Sequence, residues 1–203
     1  MRISPKETKY MHQIIQSAFI DSAHLKREFA EKYESTIDAV SDLIAESFTR
    51  GNKLMLFGNG GSAADTQHIA AEFVNRFKIE RPPLPAIALT TDTSILTSIS
   101  NDYDFSDVFS KQIKALGVKG DVAVAISTSG NSPNIIKGIE ACQSLGISSV
   151  LLSGGTGGKA LNMCDYEFIV STSDTPRIQE VHIILGHVLC ELVDFKLFQN
   201  AAT

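Results

Sequence analysis

The sequence predicts an α/β fold: a three-layer, doubly wound, five-stranded parallel sheet with added N-terminal helices. Three observations lead there. Short apolar runs at 53–57, 86–89, 122–126, 149–152 and 167–170 alternate with helical segments. The runs are continuous in polarity, as strands buried on both faces are, and helical crossovers between them make the sheet parallel. Polar stretches rich in glycine and serine follow the first and third runs. Open parallel sheets bind ligands there, at the carboxyl ends of strands near a topological switch point.

Each element has its own warrant. Over residues 6–50, Met11, Ile14, Ile15 and Phe19, then Val40, Leu43, Ile44 and Phe48, recur at helical spacing. They read as two amphipathic helices, with Gly51 as the stop. So much apolar helix ahead of the first strand needs a partner surface, and self-association is expected; packing wholly within the chain is the alternative. Further helices are expected near 62–77, 104–116, 133–145, 157–163 and 177–198. The 203 residues suffice for one sizeable core and are short for two. The chain therefore reads as one domain, 1–203, with a helical segment at 1–50 and an α/β core with its C-terminal helix at 51–203.

Composition excludes several classes. No apolar run approaches the roughly 20 residues that cross a bilayer, and no signal-like apolar stretch follows residues 1–6, so a cytoplasmic protein without membrane attachment is expected. The net charge is −5 and no Lys/Arg run exists, which argues against a nucleic-acid partner. Cys142, Cys164 and Cys190 are odd in number and share no Cys-x-x-Cys spacing. They read as buried free thiols in a reducing compartment.

The first strand runs into Gly58-Asn59-Gly60-Gly61-Ser62-Ala63 and then a helix. Mechanically this is the dinucleotide fingerprint G-x-G-x-x-A, and Asp92 stands roughly where such a site wants a ribose-binding acid. The chain leaves no separate substrate domain, however. The general content is stronger: glycines let backbone approach a ligand, and a helix N-terminus offers free N–H groups to an anion. The third strand ends in Ser127-Thr128-Ser129-Gly130-Asn131-Ser132 before Pro133. Four hydroxyls at a helix start suit a phosphate monoester, although Ser132 before Pro133 would also make a plain N-cap.

His68 and Glu72 are four residues apart on the helix behind the first loop, hence on one face. Such a pair can share a metal ion, flank a substrate or be a simple surface pair. The last helix carries Gln179 and His187, eight residues or about 12 Å apart on a regular helix. To serve one ion together they need an irregular helix start, or a subunit boundary that divides them among sites. His182 between them reads as a core or interface histidine.

At these residues the sequence resembles the phosphoheptose isomerases of the sugar isomerase (SIS) group. The resemblance extends to about residue 198. It is carried by Gly58-Asn59-Gly60-Gly61-Ser62, Gln67-His68-x-x-x-Glu72, Arg81-Pro82, Asn101-Asp102, Ser127-Thr128-Ser129-Gly130-Asn131-Ser132, and Arg177-Ile178-Gln179-Glu180-x-His182 with His187. It implies a flavodoxin-like SIS domain and a homotetramer with active sites at subunit interfaces. It implies zinc held by His68, Glu72, Gln179 and His187, with Glu72 as catalytic base and His187 as acid. Substrate contacts are implied for Asn59, Gly60, Gly61, Ser62, Glu72, Asn101, Asp102, Ser127, Thr128, Ser129, Ser132 and Gln179. The implied reaction converts D-sedoheptulose 7-phosphate to D-glycero-D-manno-heptose 7-phosphate through a cis-enediol, for heptose-containing glycans such as lipopolysaccharide or capsule. Pro176 stands where some members carry Asp. A different class shares the loops: SIS-fold tetrameric regulators that bind a replication initiator, in which the position matching Glu72 is not a carboxylate.

Overall fold

The structure is a computed structural model and describes residues 5–199. A long helix, α1 (Pro5–Thr49), leads into alternating strands and helices: β1 (Leu54–Gly58), α2 (Gly61–Val74), β2 (Ala86–Ala88), α3 (Thr93–Asp102), α4 (Val108–Leu116), β3 (Val122–Ile126), α5 (Pro133–Leu145), β4 (Ser148–Gly154), β5 (Tyr166–Val170) and α6 (Thr175–Asp194). The five strands are all parallel, in the order β2-β1-β3-β4-β5. The chain moves outward from β1 to β2 and then returns to the other side of β1. The switch point is therefore between β1 and β3, where Gly58 pairs with Ile126, and both predicted loops leave the sheet there.

Alternation along the strands divides the core. Leu54 and Leu56, Val122 and Val124, Val150 and Leu152, and Phe168 and Val170 face α1, α2 and α6. Met55 and Phe57, Ala123 and Ala125, and Leu151 face α4 and α5. Each large side chain so buried contributes about 1.5–3 kcal/mol relative to exposure.

The N-terminal segment differs from expectation. It is one helix of 45 residues, not two, because residues 6–49 contain neither glycine nor proline to break it. Its second half is embedded through Phe29, Val40, Ile44, Ala45 and Phe48. Tyr33 pins the edge strand β5: its hydroxyl accepts from Ile169 N at 3.0 Å and donates to Ile169 O at 3.4 Å. The first half leaves Tyr10, Ile14, Ile15, Phe19 and Ile20 exposed.

Three other differences are local. Helix α3 went unpredicted; Asp92 starts it, accepting from Ile95 N at 2.9 Å. That acid is thus an N-cap rather than a ribose ligand. The expected helix at 157–163 is a single 3₁₀ turn, Gly158–Ala160, entered through Gly157 and Gly158, both of left-handed φ. The last helix starts at Thr175 with Pro176 in its first turn and closes in a π turn, Phe195–Gln199.

Candidate active site

The first loop turns on Gly60, whose φ of 55° and ψ of −123° suit glycine alone. A Cβ on Gly60 would meet nothing within 4 Å, so the backbone here is open to a ligand. Asn59 is held by a reciprocal amide pair with Asn134 at the start of α5, 2.9 Å in each direction. Asn134 is buried and joins the two loops. Sequence reasoning missed it, although its place directly after Ser132-Pro133 was a signal. Ser62 is buried and its neighbour Gly61 exposed, so the side chain of Ser62 faces the protein interior.

The second loop is braced from behind. Gly154 N donates to Thr128 O at 3.1 Å, Ala160 N to Gly130 O at 3.0 Å, and Lys159 N to Asn131 Oδ1 at 3.1 Å. Ser129 is exposed, Thr128 and Ser132 are half-buried and Ser127 is buried, with its hydroxyl 3.5 Å from that of Ser132. Ser132 makes no side-chain cap on α5, which leaves its hydroxyl available. A cavity of about 300 Å³ opens beside this loop, bordered by Thr128, Ser129, Thr156, Ser173 and Thr175.

Helices α2 and α6 run side by side in the same direction. A Cβ on Gly61 would overlap the amide of Gln179, and one on Gly186 would press on Ile69. One rung from the second contact, His187 Nε2 lies 3.2 Å from His68 Nε2, and His68 Nε2 lies 3.1 Å from Glu72 Oε1. The ligand atoms of His68, Glu72 and His187 all fall within 4.8 Å of one another. Two imidazole nitrogens so close cannot both carry protons: one accepts from the other, or both point lone pairs at a shared cation. The His68–Glu72 and His68–His187 separations of 3.1 and 3.2 Å are close to the ~3.3 Å between ligand atoms of a tetrahedral ion with bonds of ~2.0 Å, and the third separation would close on binding. The donor set therefore fits a borderline divalent metal. Phe77 stacks on His187, ring centroids 5.4 Å apart at 21°.

Gln179 stands two turns away from His187, at the first loop. Helix α6 is regular between them, so the irregular-helix alternative is gone. Asn101 and Asp102 close α3 on an exposed surface, where Asn101 Nδ2 donates to Asp102 Oδ1 at 2.9 Å. Asp65, one turn before His68, escaped the sequence reading. One of its oxygens is buried without a partner, and burial raises its carboxyl above the ordinary range while His68 acts the other way.

His182 is a core residue, fully buried, with Nε2 3.1 Å from Ser153 O and Nδ1 without a partner. The cysteines are free: Cys142 and Cys190 are buried and Cys164 is half-buried. Burial pushes the Cys142 and Cys164 thiols up to about 12. A thiol so raised is a poor source of the nucleophilic thiolate.

Residues 19–154 match a family model described as the SIS domain, which together with the five-stranded parallel sheet defines an SIS-domain α/β protein. A curated phosphoheptose isomerase from Thermodesulfovibrio yellowstonii is 53% identical over 188 residues, 93% of this chain and 94% of the relative. One from Aquifex aeolicus is 54% identical over 184 residues, 91% and 96% of the two chains. The solved phosphoheptose isomerase of Neisseria gonorrhoeae superposes with a TM-score of 0.85 at 41% identity, covering 91% of this chain and 98% of that one. The chain belongs to the phosphoheptose isomerase family.

Proposed function

We propose that the protein isomerises D-sedoheptulose 7-phosphate to D-glycero-D-manno-heptose 7-phosphate. The observation that carries this is the convergence of His68, Glu72 and His187 from α2 and α6, in a chain about half identical to phosphoheptose isomerases. Among the described residues no helix is long and apolar enough to cross a membrane, and we place the reaction in the cytoplasm.

The chemistry follows from the residue types. A ketose becomes an aldose when a proton leaves C1 and returns at C2, while another moves between O2 and O1, through a cis-enediol. Glu72 Oε1 faces His68, which leaves Oε2 as the base for the carbon-bound proton. His187 serves the oxygens as acid, its ring orientation fixed by the stack on Phe77. Hydroxyls of Ser127, Thr128, Ser129 and Ser132, with backbone N–H groups at the starts of α2 and α5, take the phosphate. The open backbone of Gly60 and Gly61, with Asn59, lies against the sugar. Zinc is the expected ion; when bound by His68, Glu72 and His187 it supplies positive charge that polarises the substrate carbonyl.

The exposed apolar half of α1, with Ile184 and Val188 exposed on α6, supports a homotetramer. In that assembly Gln179 completes a site together with a neighbouring subunit, and Asn101 and Asp102 reach substrate across an interface. A regulator that binds a replication initiator takes no support from the carboxylate between two histidines.

The test is turnover of sedoheptulose 7-phosphate by metal-stripped protein, with and without added zinc. Formation of heptose 7-phosphate that rises with zinc is expected. Turnover indifferent to zinc removes the metal from the chemistry. No turnover by folded, zinc-loaded protein removes the isomerase assignment.

A further inference from the structure

Arg81 carries part of the family resemblance, yet it takes no part in the chemistry above. It lies in the segment between α2 and β2 with its side chain only 1% exposed, paired with Asp194 at 2.9 Å. A buried guanidinium has five N–H donors to satisfy. Here Nε donates to Asp194 Oδ1, Nη2 to Glu72 O at 2.9 Å, and Nη1 to Phe73 O at 2.6 Å, with Asn75 O and Pro82 O farther away at 3.3 and 3.2 Å. These include the last carbonyls of α2, which have no partners of their own within the helix. A cation at a helix C-terminus also complements its dipole. One of the carbonyls belongs to Glu72 itself.

The same segment follows α6 turn by turn. Phe77 stacks on His187, Lys78 pairs with Glu191 at 2.7 Å, and Arg81 pairs with Asp194. Positions 187, 191 and 194 lie on one face of a helix. The Lys78–Glu191 pair is exposed on both sides and so holds weakly. The buried pair is the firm end of the seam. Helix α2 supplies His68 and Glu72, α6 supplies His187, and Arg81 grips the end of the first against the end of the second.

We propose that Arg81 and Asp194 are positioning residues: their buried pair sets the placement of Glu72 relative to His187. This rests on the isomerase assignment for its kinetic consequence but not for its geometric one. Supports of metal ligands typically matter by 10–100-fold in affinity or activity.

The test separates position from stability. The double variant Arg81→Met with Asp194→Leu replaces the ion pair by apolar side chains, an exchange that buried pairs often tolerate without loss of stability. Asp194→Asn keeps an oxygen that can accept from Arg81 Nε but removes the charge that compensates the buried guanidinium. Both are assayed well below their melting temperatures for kcat, KM and zinc affinity by chelator competition. We expect the double variant to lose roughly 10–100-fold in kcat and at least about 10-fold in zinc affinity, with KM within about twofold, and Asp194→Asn, which keeps Arg81 on the α2 carbonyls, to lose clearly less than the double variant. Should the double variant not fold, Arg81→Lys is read the same way, since an ammonium can reach Asp194 but cannot span the α2 carbonyls. A folded double variant with unchanged kcat and zinc affinity overturns the proposal. So does a loss in Asp194→Asn as large as in the double variant, which would make the effect one of charge. Zinc affinity needs no turnover, so an inactive parent protein would sink the isomerase assignment and still leave the positioning role to be judged.

Discussion

His182 shows how far a single residue can be followed from its surroundings. Its Nε2 donates to Ser153 O, so the bare nitrogen is Nδ1, buried without a partner. Burial depresses its pKa from the ordinary value near 6.5 to about 4. The unfolded chain therefore takes up a proton as pH falls through 6.5, while the folded protein resists down to about 4. The stability concerned is complete above 6.5 and is lost progressively between 6.5 and 4, on the order of 3 kcal/mol for the full shift. Thermal unfolding across that window should show a falling melting temperature. His182→Gln, which keeps a donor for Ser153 O and cannot titrate, should flatten that limb; an unchanged pH profile in the variant would assign the acid sensitivity elsewhere. The sequence could suggest a core histidine here but not which nitrogen goes unsatisfied, because Ser153 is 29 residues away. The same limit hid Asn134, Phe77 and the partner of Arg81. His68 and Glu72 were legible together because i,i+4 spacing is a local rule; the contact of His187 with His68 spans 119 residues and needs two helices to pack.

Elements were legible where periodicity was strong and obscure where a cap or a glycine decided. The five strands appear within a residue or two of expectation because each is an apolar run bounded by polar turns. Helix α3 is short, rich in Ser and Thr and buries no residue fully, so its pattern is faint and its one firm signal is the cap at Asp92. The stretch after β4 carries helical spacing but also Gly155, Gly157 and Gly158, and its use is loop against loop. Gly130 has φ +64°, and a Cβ there would overlap the carbonyl oxygen of Gly157; one on Gly158 would overlap that of Ser129. The serine loop keeps its shape because two glycine backbones touch with no side chain between them. Gly130→Ala should therefore destabilise by more than ~1 kcal/mol, in the opposite sense to a Gly→Ala exchange at a backbone position that Ala can adopt. The expected readout is a lower melting temperature together with a raised KM for the sugar phosphate, since the hydroxyls move with the loop. A variant with normal stability and KM would show that the loop contact is not what shapes the anion site.

At the scale of the whole molecule, the chain leaves surface it has reason to cover. Phe19 is 76% exposed, Ile20 64% and Tyr10 64%, all on the half of α1 that runs beyond its own core. Burying a phenylalanine is worth about 1.5–3 kcal/mol, and in a closed assembly every copy contributes the same amount. A glutamate at position 19 would remove that gain and add a charge needing solvation, so Phe19→Glu should shift the protein toward smaller species in sedimentation. The core of each subunit should stay folded, because α1 is embedded from Ser22 and Leu25 onward and the Phe19 side chain lies outside that core. Activity then becomes diagnostic. His68, Glu72 and His187 all come from one chain and lie far along the sequence from Phe19, so an isolated subunit keeps its histidine–carboxylate cluster. If Gln179, Asn101 and Asp102 act across subunit boundaries, turnover must fall in step with dissociation and return when the variant is concentrated enough to reassemble. A dissociated variant with full turnover per subunit would mean that each chain carries a complete site and that assembly serves something other than catalysis. A variant that stays assembled would move the interface off the first half of α1 and onto the exposed face of α6.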